Sequence, residues 1–241
     1  MTTPTVAGLE VRQGIPEALR GEAAQLYAGV FAAKYQALIG DGPQAVRIIA
    51  ASLCLSQAFA AFCQGRLVGL AGYNRPNSHF LCLRASVLIR EFGLLLGLWR
   101  YFLHVCQRKR LPRQELLIDG IVVAEDWRGR GLGSLLIERL AYLGQLQGRV
   151  GLRLGVVDTN PRARQLYERL GFALLETRYY RLLKGWIPFT ALQVMRLPLP
   201  PLAGIRAPAP QSRRVLAIHG RLVRRLRPCA KVVVWSPPRS V

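Results

Sequence analysis

A strand that leads directly into a glycine-rich turn and then a helix constrains the fold of this chain more than any other feature. Residues 115–123, ELLIDGIVV, contain the β-branched and apolar side chains that favour strands. The run RGRGLG follows at 128–133, and apolar residues recur at helical spacing within 124–148. Glycines let a backbone approach an anion closely, and the free N–H groups and dipole of a helix N-terminus attract it. The segment therefore predicts a phosphate-type anion site at the turn.

A glycine-rich turn before a helix is by itself a weak signal, because several nucleotide-binding folds contain one. The spacing here is not the GxGxxG of dinucleotide-binding folds, and no Gly-Lys-Ser/Thr follows, which excludes a Walker A loop. A second segment, VVDTNPRARQLYERLGF at 156–172, decides between the possibilities. It predicts the end of a strand, an Asn160 cap with Pro161 at the helix start, and a helix that ends before Gly171.

Together the two segments resemble the GNAT superfamily of acyl-CoA-dependent N-acyltransferases. The family's pyrophosphate loop has the pattern Arg/Gln-x-x-Gly-x-Gly/Ala, which here is Arg128, Gly131 and Gly133. The family also has a strand, an Asn, and a helix carrying Ala-x-x-x-Tyr followed by Gly-Phe. The matching residues are Asn160, Ala163, Tyr167, Gly171 and Phe172. Two motifs in the correct order make this a specific resemblance over 115–175.

The resemblance implies an α/β (α+β) fold with a mixed, mostly antiparallel central sheet flanked by helices. It also implies an N-acetyltransferase that transfers an acetyl (acyl) group from acetyl-CoA directly to a primary amine in a ternary complex, without a metal. The backbone of Ile121 and Val123 would pair with pantetheine, and Tyr167 would protonate the leaving thiolate. The residues implied to bind the cofactor are Ile121, Val123, Arg128, Arg130, Gly131, Gly133, Ser134 and Asn160.

The identity of the general base depends on a carboxylate in the strand at 115–123. Strand alternation places Asp119 on the same face as Ile121 and Val123, and Glu115 shares that parity further back. Burying an unpaired carboxylate in an apolar strand is costly. Asp119 is therefore a candidate base or amine-binding residue, and a structural salt bridge or a loop cap is the alternative. The predicted catalytic residues are Tyr167 and Asp119.

Residues 76–113 form an apolar insertion within a GNAT-like domain expected to span 1–199. The insertion contains seven Arg or Lys residues and one Glu, and its pattern favours one helix over about 86–107. The helix is interpreted as a buried core element or a homodimer interface. The alternatives are a lid over an apolar substrate and a helix that lies on a membrane surface.

The tail at 200–241 is rich in Pro and Arg and is expected to be disordered. It contains no acidic residue, so contact with nucleic acid or an anionic membrane is a possible role. The whole chain has 34 Lys and Arg residues against 13 Asp and Glu, a net charge of +21, but the strong preference for Arg over Lys is also typical of GC-rich coding. The alternative function is a non-catalytic acyl-CoA-binding module tethered by this tail.

The rest of the sequence supplies the other elements and the expected compartment. Hydrophobic residues are 51% of the chain, which excludes disorder along its whole length. Five dispersed cysteines without a CxxC pair, and no visible secretory signal, favour a cytoplasmic location. Periodicity predicts helices at 17–38, 44–55 and 161–170, and strands at 8–16, 58–73 (a hairpin), 150–158, 172–182 and 189–197.

Overall fold

The computed structural model describes residues 8–75, 78–107, 114–180 and 189–201. These residues form seven strands and six α-helices. The strands are β1 (Leu9–Gln13), β2 (Ala58–Cys63), β3 (Arg66–Asn74), β4 (Glu115–Val123), β5 (Gly151–Val157), β6 (Ala173–Tyr179) and β7 (Ala191–Pro198). The helices are α1 (Arg20–Ile39), α2 (Gly42–Ser52), α3 (Ala85–Phe92), α4 (Leu94–Gln107), α5 (Leu132–Leu146) and α6 (Pro161–Arg169). The tail beyond 201 lies outside the described residues, so its disorder and its contacts stay predictions.

The strands form one sheet in the order β1-β2-β3-β4-β5-β7-β6. All neighbouring strands are antiparallel except β4 and β5, which are parallel. Apolar side chains of α1, α2 and α3 are buried against one face of the sheet, here called the α1 face. Those of α5 are buried against the other, the α5 face, where α6 also packs. The predicted mixed, mostly antiparallel sheet flanked by helices is confirmed.

Two helices differ from the sequence prediction. The single helix expected over about 86–107 is two helices, because Gly93 ends α3 in a left-handed conformation with φ = +79°. The helix expected within 124–148 begins only at Leu132, after a 3₁₀ turn at Glu125–Trp127 and the glycine-rich turn. In both places glycine supplies a positive φ that a helix cannot continue through.

A β-bulge in β4 overturns the prediction that Asp119 shares a face with Ile121 and Val123. Gly72 of β3 pairs with Gly120, but the next residue of β3 pairs with Ile118, so Asp119 is an extra residue in β4. A bulge of this kind disrupts the alternation of side chains along the strand.

The burial of the neighbouring side chains shows the change of face directly. Ile118 belongs to the core on the α5 face, whereas Val122, four residues later, belongs to the core on the α1 face. Ile121 and Val123 pack against the α5 face. Asp119 instead points to the α1 face, where it meets a side chain of α1.

The parallel strands β4 and β5 are joined only at one end. They pair over Glu115–Leu117 and Gly151–Arg153, whereas β5 pairs with β7 along its whole length. At the joined end Glu115 accepts hydrogen bonds from Arg153 Nε at 2.5 Å and Arg196 Nε at 2.6 Å. The side chain of Glu115 is only 9% exposed, so this carboxylate holds three strands together. Glu115 is therefore structural and not a candidate base.

We expect Glu115→Gln to lower the free energy of unfolding by about 3 kcal/mol, because it leaves two partly buried guanidinium groups without a counter-charge. Denaturant unfolding followed by circular dichroism measures the change. Glu168→Gln is the matched control, since Glu168 is 46% exposed and pairs with Arg164 at i,i+4 on α6. The control should cost no more than about 0.5 kcal/mol. Equal losses in the two variants would contradict the assigned role of Glu115.

Candidate functional site

The separation of β4 from β5 opens a cleft with a volume of about 370 Å³. Residues 118–121 of β4 and 154–157 of β5 form its two long walls. Val30 and Phe31 of α1 line it from one face of the sheet, and Tyr167 of α6 lines it from the other. The cleft therefore brings together groups from both faces of the sheet at the point where the sheet divides.

The edge of β4 that faces the cleft carries backbone groups that β3 does not use. Val123 is opposite Gly69, and the N–H of Ala124 donates to the carbonyl of Val68 at 2.9 Å. This bond makes Val123 and Gly69 a non-hydrogen-bonded pair, and by alternation Ile121 also sits in one. The N–H and C=O groups of Val123 and Ile121 therefore point away from β3, towards the side where β5 has separated.

The glycine-rich turn lies just beyond the end of β4. Gly129 and Gly131 have φ values of +76° and +80°, and Gly131 is the N-cap of α5. A glycine cap has no side chain to accept a hydrogen bond, so the N–H groups of Leu132, Gly133 and Ser134 lack an acceptor within the helix. The turn presents several N–H donors and the positive end of a helix dipole in one place, which is suited to an anion.

The two arginines of the turn have different surroundings. Arg128 donates to the carbonyl of Val123 at 3.3 Å and to the carboxylate of Glu125 at 3.1 Å, so its guanidinium is engaged in holding the turn. Arg130 is exposed and lies over the ring of Trp127, 5.1 Å from its centre. Trp127 packs against the core of the α5 face. Sequence reasoning missed Trp127, although an aromatic residue three positions before Arg130 was a visible signal.

Tyr167 is a partly buried tyrosine on α6 that lines the cleft. Its ring lies 5.8 Å from that of Phe172, and both pack against the core of the α5 face. Burial raises the pKa of Tyr167 to about 12 because the ionised phenolate is poorly solvated there. The hydroxyl therefore retains its proton throughout the neutral range.

Asn160 starts the helix that carries Tyr167. Its Oδ1 accepts a hydrogen bond from the N–H of Ala163 at 3.1 Å, which confirms the predicted cap. Asn160 also lines the cleft beside Tyr167. A Cβ at Gly133 would lie 3.7 Å from Leu166 of α6, so the anion-binding end of α5 is adjacent to this helix.

Asp119 lines the cleft from the α1 face, held by two neutral donors. Tyr27 donates its hydroxyl to Oδ2 at 2.8 Å, and Asn74 donates its amide to Oδ1 at 2.9 Å. Asn74 is buried and accepts from the N–H of Phe80 at 2.7 Å, which fixes its orientation. Burial and the charge of Asp119 together raise the pKa of Tyr27 well above its ordinary value. Asp119 is thus a carboxylate without an ion pair among the described residues, not a salt bridge.

The predicted site residues fall into two groups. Asp119, Ile121, Asn160 and Tyr167 line the cleft itself. The turn residues lie past the end of β4, next to the start of α5. They are Arg128, Arg130, Gly131, Gly133 and Ser134, and the backbone of Val123 connects them to the cleft. Sequence reasoning missed Tyr27 and Asn74, because neither position carries a local signal that it meets Asp119.

Three further features of the described residues bear on the site. They include no group of three His, Cys, Asp or Glu side chains arranged to hold a metal ion. None of the helices in the described ranges combines the length and apolarity needed to cross a bilayer. Cys54, Cys63 and Cys82 are free thiols.

The fold is similar to that of acetyltransferases of known structure. An N-acetyltransferase from Staphylococcus aureus Mu50 superposes with a TM-score of 0.57 at 15% identity, over 78% of this chain and all of that one. A GCN5-related N-acetyltransferase from Kribbella flavida superposes with a TM-score of 0.51 at 18% identity, over 80% of this chain and 98% of that one. At these identities the similarity shows the fold alone.

The sequence profile of the acetyltransferase (GNAT) family matches residues 40–172, more than half of the chain. The chain belongs to the GNAT acetyltransferase family. It is 38% identical over 58 residues to thialysine N-ε-acetyltransferase of Bos taurus, a match that spans 24% of this chain and 34% of that protein. It is 27% identical over 117 residues to the Mus musculus enzyme of the same name, over 47% of this chain and 64% of that protein. The matches thus span between a third and two thirds of these relatives.

We expect Tyr167 to keep its proton until the pH approaches its raised pKa of about 12. Its ¹³Cζ resonance, identified by its loss in Tyr167→Phe, should stay at the neutral position through about pH 11. Burial disfavours the ionised phenolate of Tyr167 because it removes water that would solvate the charge, so the neutral phenol persists to higher pH. A midpoint near 10, the ordinary tyrosine value, would show that the hydroxyl is solvated instead.

Proposed function

We propose that this protein is an N-acyltransferase that takes an acetyl group from acetyl-CoA and transfers it directly to a primary amine. The observation that carries the proposal is the cleft between β4 and β5. It combines an unpaired backbone edge, an anion-binding turn at its end, a protonated tyrosine and a carboxylate. The two catalytic side chains come from opposite faces of the sheet.

The residues around the cleft fit the parts of coenzyme A. The backbone groups of Ile121 would hydrogen-bond the pantetheine arm and the free N–H of Val123 would face the thioester, as an added strand does at a sheet edge. The pyrophosphate would accept from the N–H groups of Gly133 and Ser134, with the guanidinium of Arg130 adding a charge-assisted bond. Acetyl-CoA supplies an activated acyl group as a thioester.

The side chains in the cleft would serve the two proton transfers that acyl transfer to an amine requires. Asp119 would attract the amine and accept its proton, directly or through water, because an amine attacks only when unprotonated. The N–H of Val123 would donate to the carbonyl oxygen as negative charge develops on it. Tyr167, neutral at physiological pH, would donate its proton to the leaving thiolate.

The acceptor amine that we favour has an aliphatic body. The cleft combines the carboxylate of Asp119 with the apolar side chains of Val30, Phe31 and Phe189. A carboxylate beside apolar walls suits an ammonium group on an alkyl chain. The names of the curated relatives describe acetylation at the ε-nitrogen of thialysine, and this supports the same class of acceptor.

The anion-binding turn is tested by replacing Gly131 with valine and titrating acetyl-CoA by calorimetry in about 0.5 M salt, which screens non-specific attraction to a protein of charge +21. We expect affinity to fall at least about tenfold, or about 1.4 kcal/mol, because a side chain distorts the turn and crowds the anion. Gly65→Val is the matched control. Gly65 has the same φ of +80° but lies in the β2–β3 hairpin, so this variant should bind normally.

The outcomes of this titration separate the two functions under consideration. Salt-resistant binding that Gly131→Val abolishes and Gly65→Val preserves supports a coenzyme A site. Binding that vanishes in salt, or that is lost equally in both variants, would refute it. Salt-resistant binding without acylation of any amine in a panel of alkyl diamines and amino acids would favour the non-catalytic acyl-CoA-binding module.

The proton transfers are tested by Tyr167→Phe and Asp119→Asn. We expect each to lower kcat by about 10²-fold or more while acetyl-CoA affinity stays within about twofold, because each removes a group that acts in proton transfer and leaves the pantetheine and pyrophosphate contacts in place. Tyr142→Phe and Asp41→Asn are the matched controls, since both residues are exposed on α5 and before α2, away from the cleft. Unchanged kcat in Tyr167→Phe would exclude Tyr167 as the general acid.

A further inference from the structure

Helix α4 turns its apolar side away from the protein. Seven of its large apolar side chains are between 43% and 85% exposed, an unusual amount for one helix of fourteen residues. They are Leu94, Leu95, Leu96, Leu98, Trp99, Phe102 and Val105. We call the surface that they form the α4 patch.

Six of these side chains, all except Leu96, form a stripe along the helix. Leu94, Leu98, Phe102 and Val105 follow the i, i+4, i+8, i+11 spacing that places side chains on one side of a helix. Trp99 stacks on Phe102 with ring centres 5.9 Å apart. No charged side chain interrupts the stripe, which is about 17 Å long at 1.5 Å per residue.

The packing of α4 against α3 prevents the stripe from rotating inwards. A Cβ at Gly97 would lie 2.5 Å from Ile89 Cα, so the two backbones are in close contact at this glycine. Tyr101, one turn later on the same side, packs against the core of the α1 face. Arg100 is also on this inner side, with its guanidinium 3.9 Å from the centre of the Phe92 ring. The inner side of α4 therefore packs on α3 and the core, and the apolar stripe stays exposed and available to a binding partner.

The charged residues on either side of α4 in the sequence are nearly all cationic. Arg84 and Arg90 of the preceding segment are exposed, and the sequence that follows α4 continues Arg108, Lys109, Arg110. The one carboxylate in residues 76–113, Glu91, is only 10% exposed and is paired with Arg47 at 2.9 Å and with Arg90 at 3.9 Å. A partner for this surface must therefore offer both apolar area and negative charge.

That requirement selects among the possible partners. A second copy of the chain would bring the same cations against these cations. The tail at 202–241 contains nine Arg or Lys residues and no acid, so it is repelled as well. An anionic bilayer offers acyl chains for the stripe and negative headgroups for the flanking arginines, and aromatic residues such as Trp99 favour its interface.

We propose that α4 docks this protein onto the surface of anionic membranes. The helix lies in the interface with its stripe among the acyl chains, and at fourteen residues it is too short to span the bilayer. The inference rests on the α4 patch and on the cationic residues before and after α4 in the sequence, and it is independent of the proposed acyltransferase activity.

The test is flotation of the full chain with vesicles of 70% phosphatidylcholine and 30% phosphatidylglycerol, compared with pure phosphatidylcholine. We expect the partition coefficient calculated from the bound fraction to be at least tenfold higher for the anionic vesicles than for pure phosphatidylcholine. In a variant with Leu95, Trp99 and Phe102 all changed to Gln, partitioning onto the anionic vesicles should fall at least tenfold. The matched control changes Leu146, Leu174 and Leu175 to Gln, three leucines between 46% and 50% exposed elsewhere, and should bind as the wild type does.

The position of Trp99 gives a second readout that is specific for insertion of the helix. Brominated lipids should quench the wild-type tryptophan fluorescence, and the quenching should be lost in Trp99→Phe. Circular dichroism checks that each variant is folded. The proposal is overturned if the α4 variant still floats with anionic vesicles, if neutral vesicles bind equally well, or if the wild type is a dimer in sedimentation that the α4 variant converts to a monomer.

Discussion

The separation of the parallel strands β4 and β5 is the constraint on which the rest of the structure depends. Each strand is bound along its length to an antiparallel neighbour, and the two are joined only where Glu115 bridges Arg153 and Arg196. The bulge at Asp119 comes directly after the joined end, and a bulge increases local twist, which turns the rest of β4 away from β5. The open edge of β4 and the cleft both follow from this division of the sheet.

The same bulge divides the chemistry of the cleft between the two faces of the sheet. It sends the carboxylate of Asp119 to the α1 face, where Tyr27 and Asn74 hold it, while Ile121 remains on the other face with Tyr167. Asp119 accepts hydrogen bonds from two neutral donors, and Tyr167 is kept protonated by burial. A carboxylate and a protonated phenol therefore line one cleft from the two faces of the sheet, and the proposed acyl transfer uses the first as the base and the second as the acid.

Helix α4 differs from the elements around the cleft, because much of its apolar surface is exposed to solvent. The close contact at Gly97 fixes which side of α4 packs on α3. The exposed stripe therefore adds no buried apolar area to the core. A stripe of this kind lowers solubility in water unless a partner covers it. The cationic residues before and after α4 in the sequence make an anionic interface the partner that we propose, and they argue against self-association.

The sequence by itself determined the order of the elements, the glycine-rich turn and the Asn160 cap, because each depends on local periodicity, a positive φ or a hydrogen bond three residues away. It did not determine the face of Asp119. The extra residue in β4 arises from the pairing with β3, and the alternation of side chains along one strand cannot predict it. Tyr27 and Asn74 lie 92 and 45 positions from Asp119, so only the tertiary structure brings them together. Likewise, the sequence showed that residues 94–105 are apolar almost all round, but the packing of α4 on α3 decided that their stripe faces outwards.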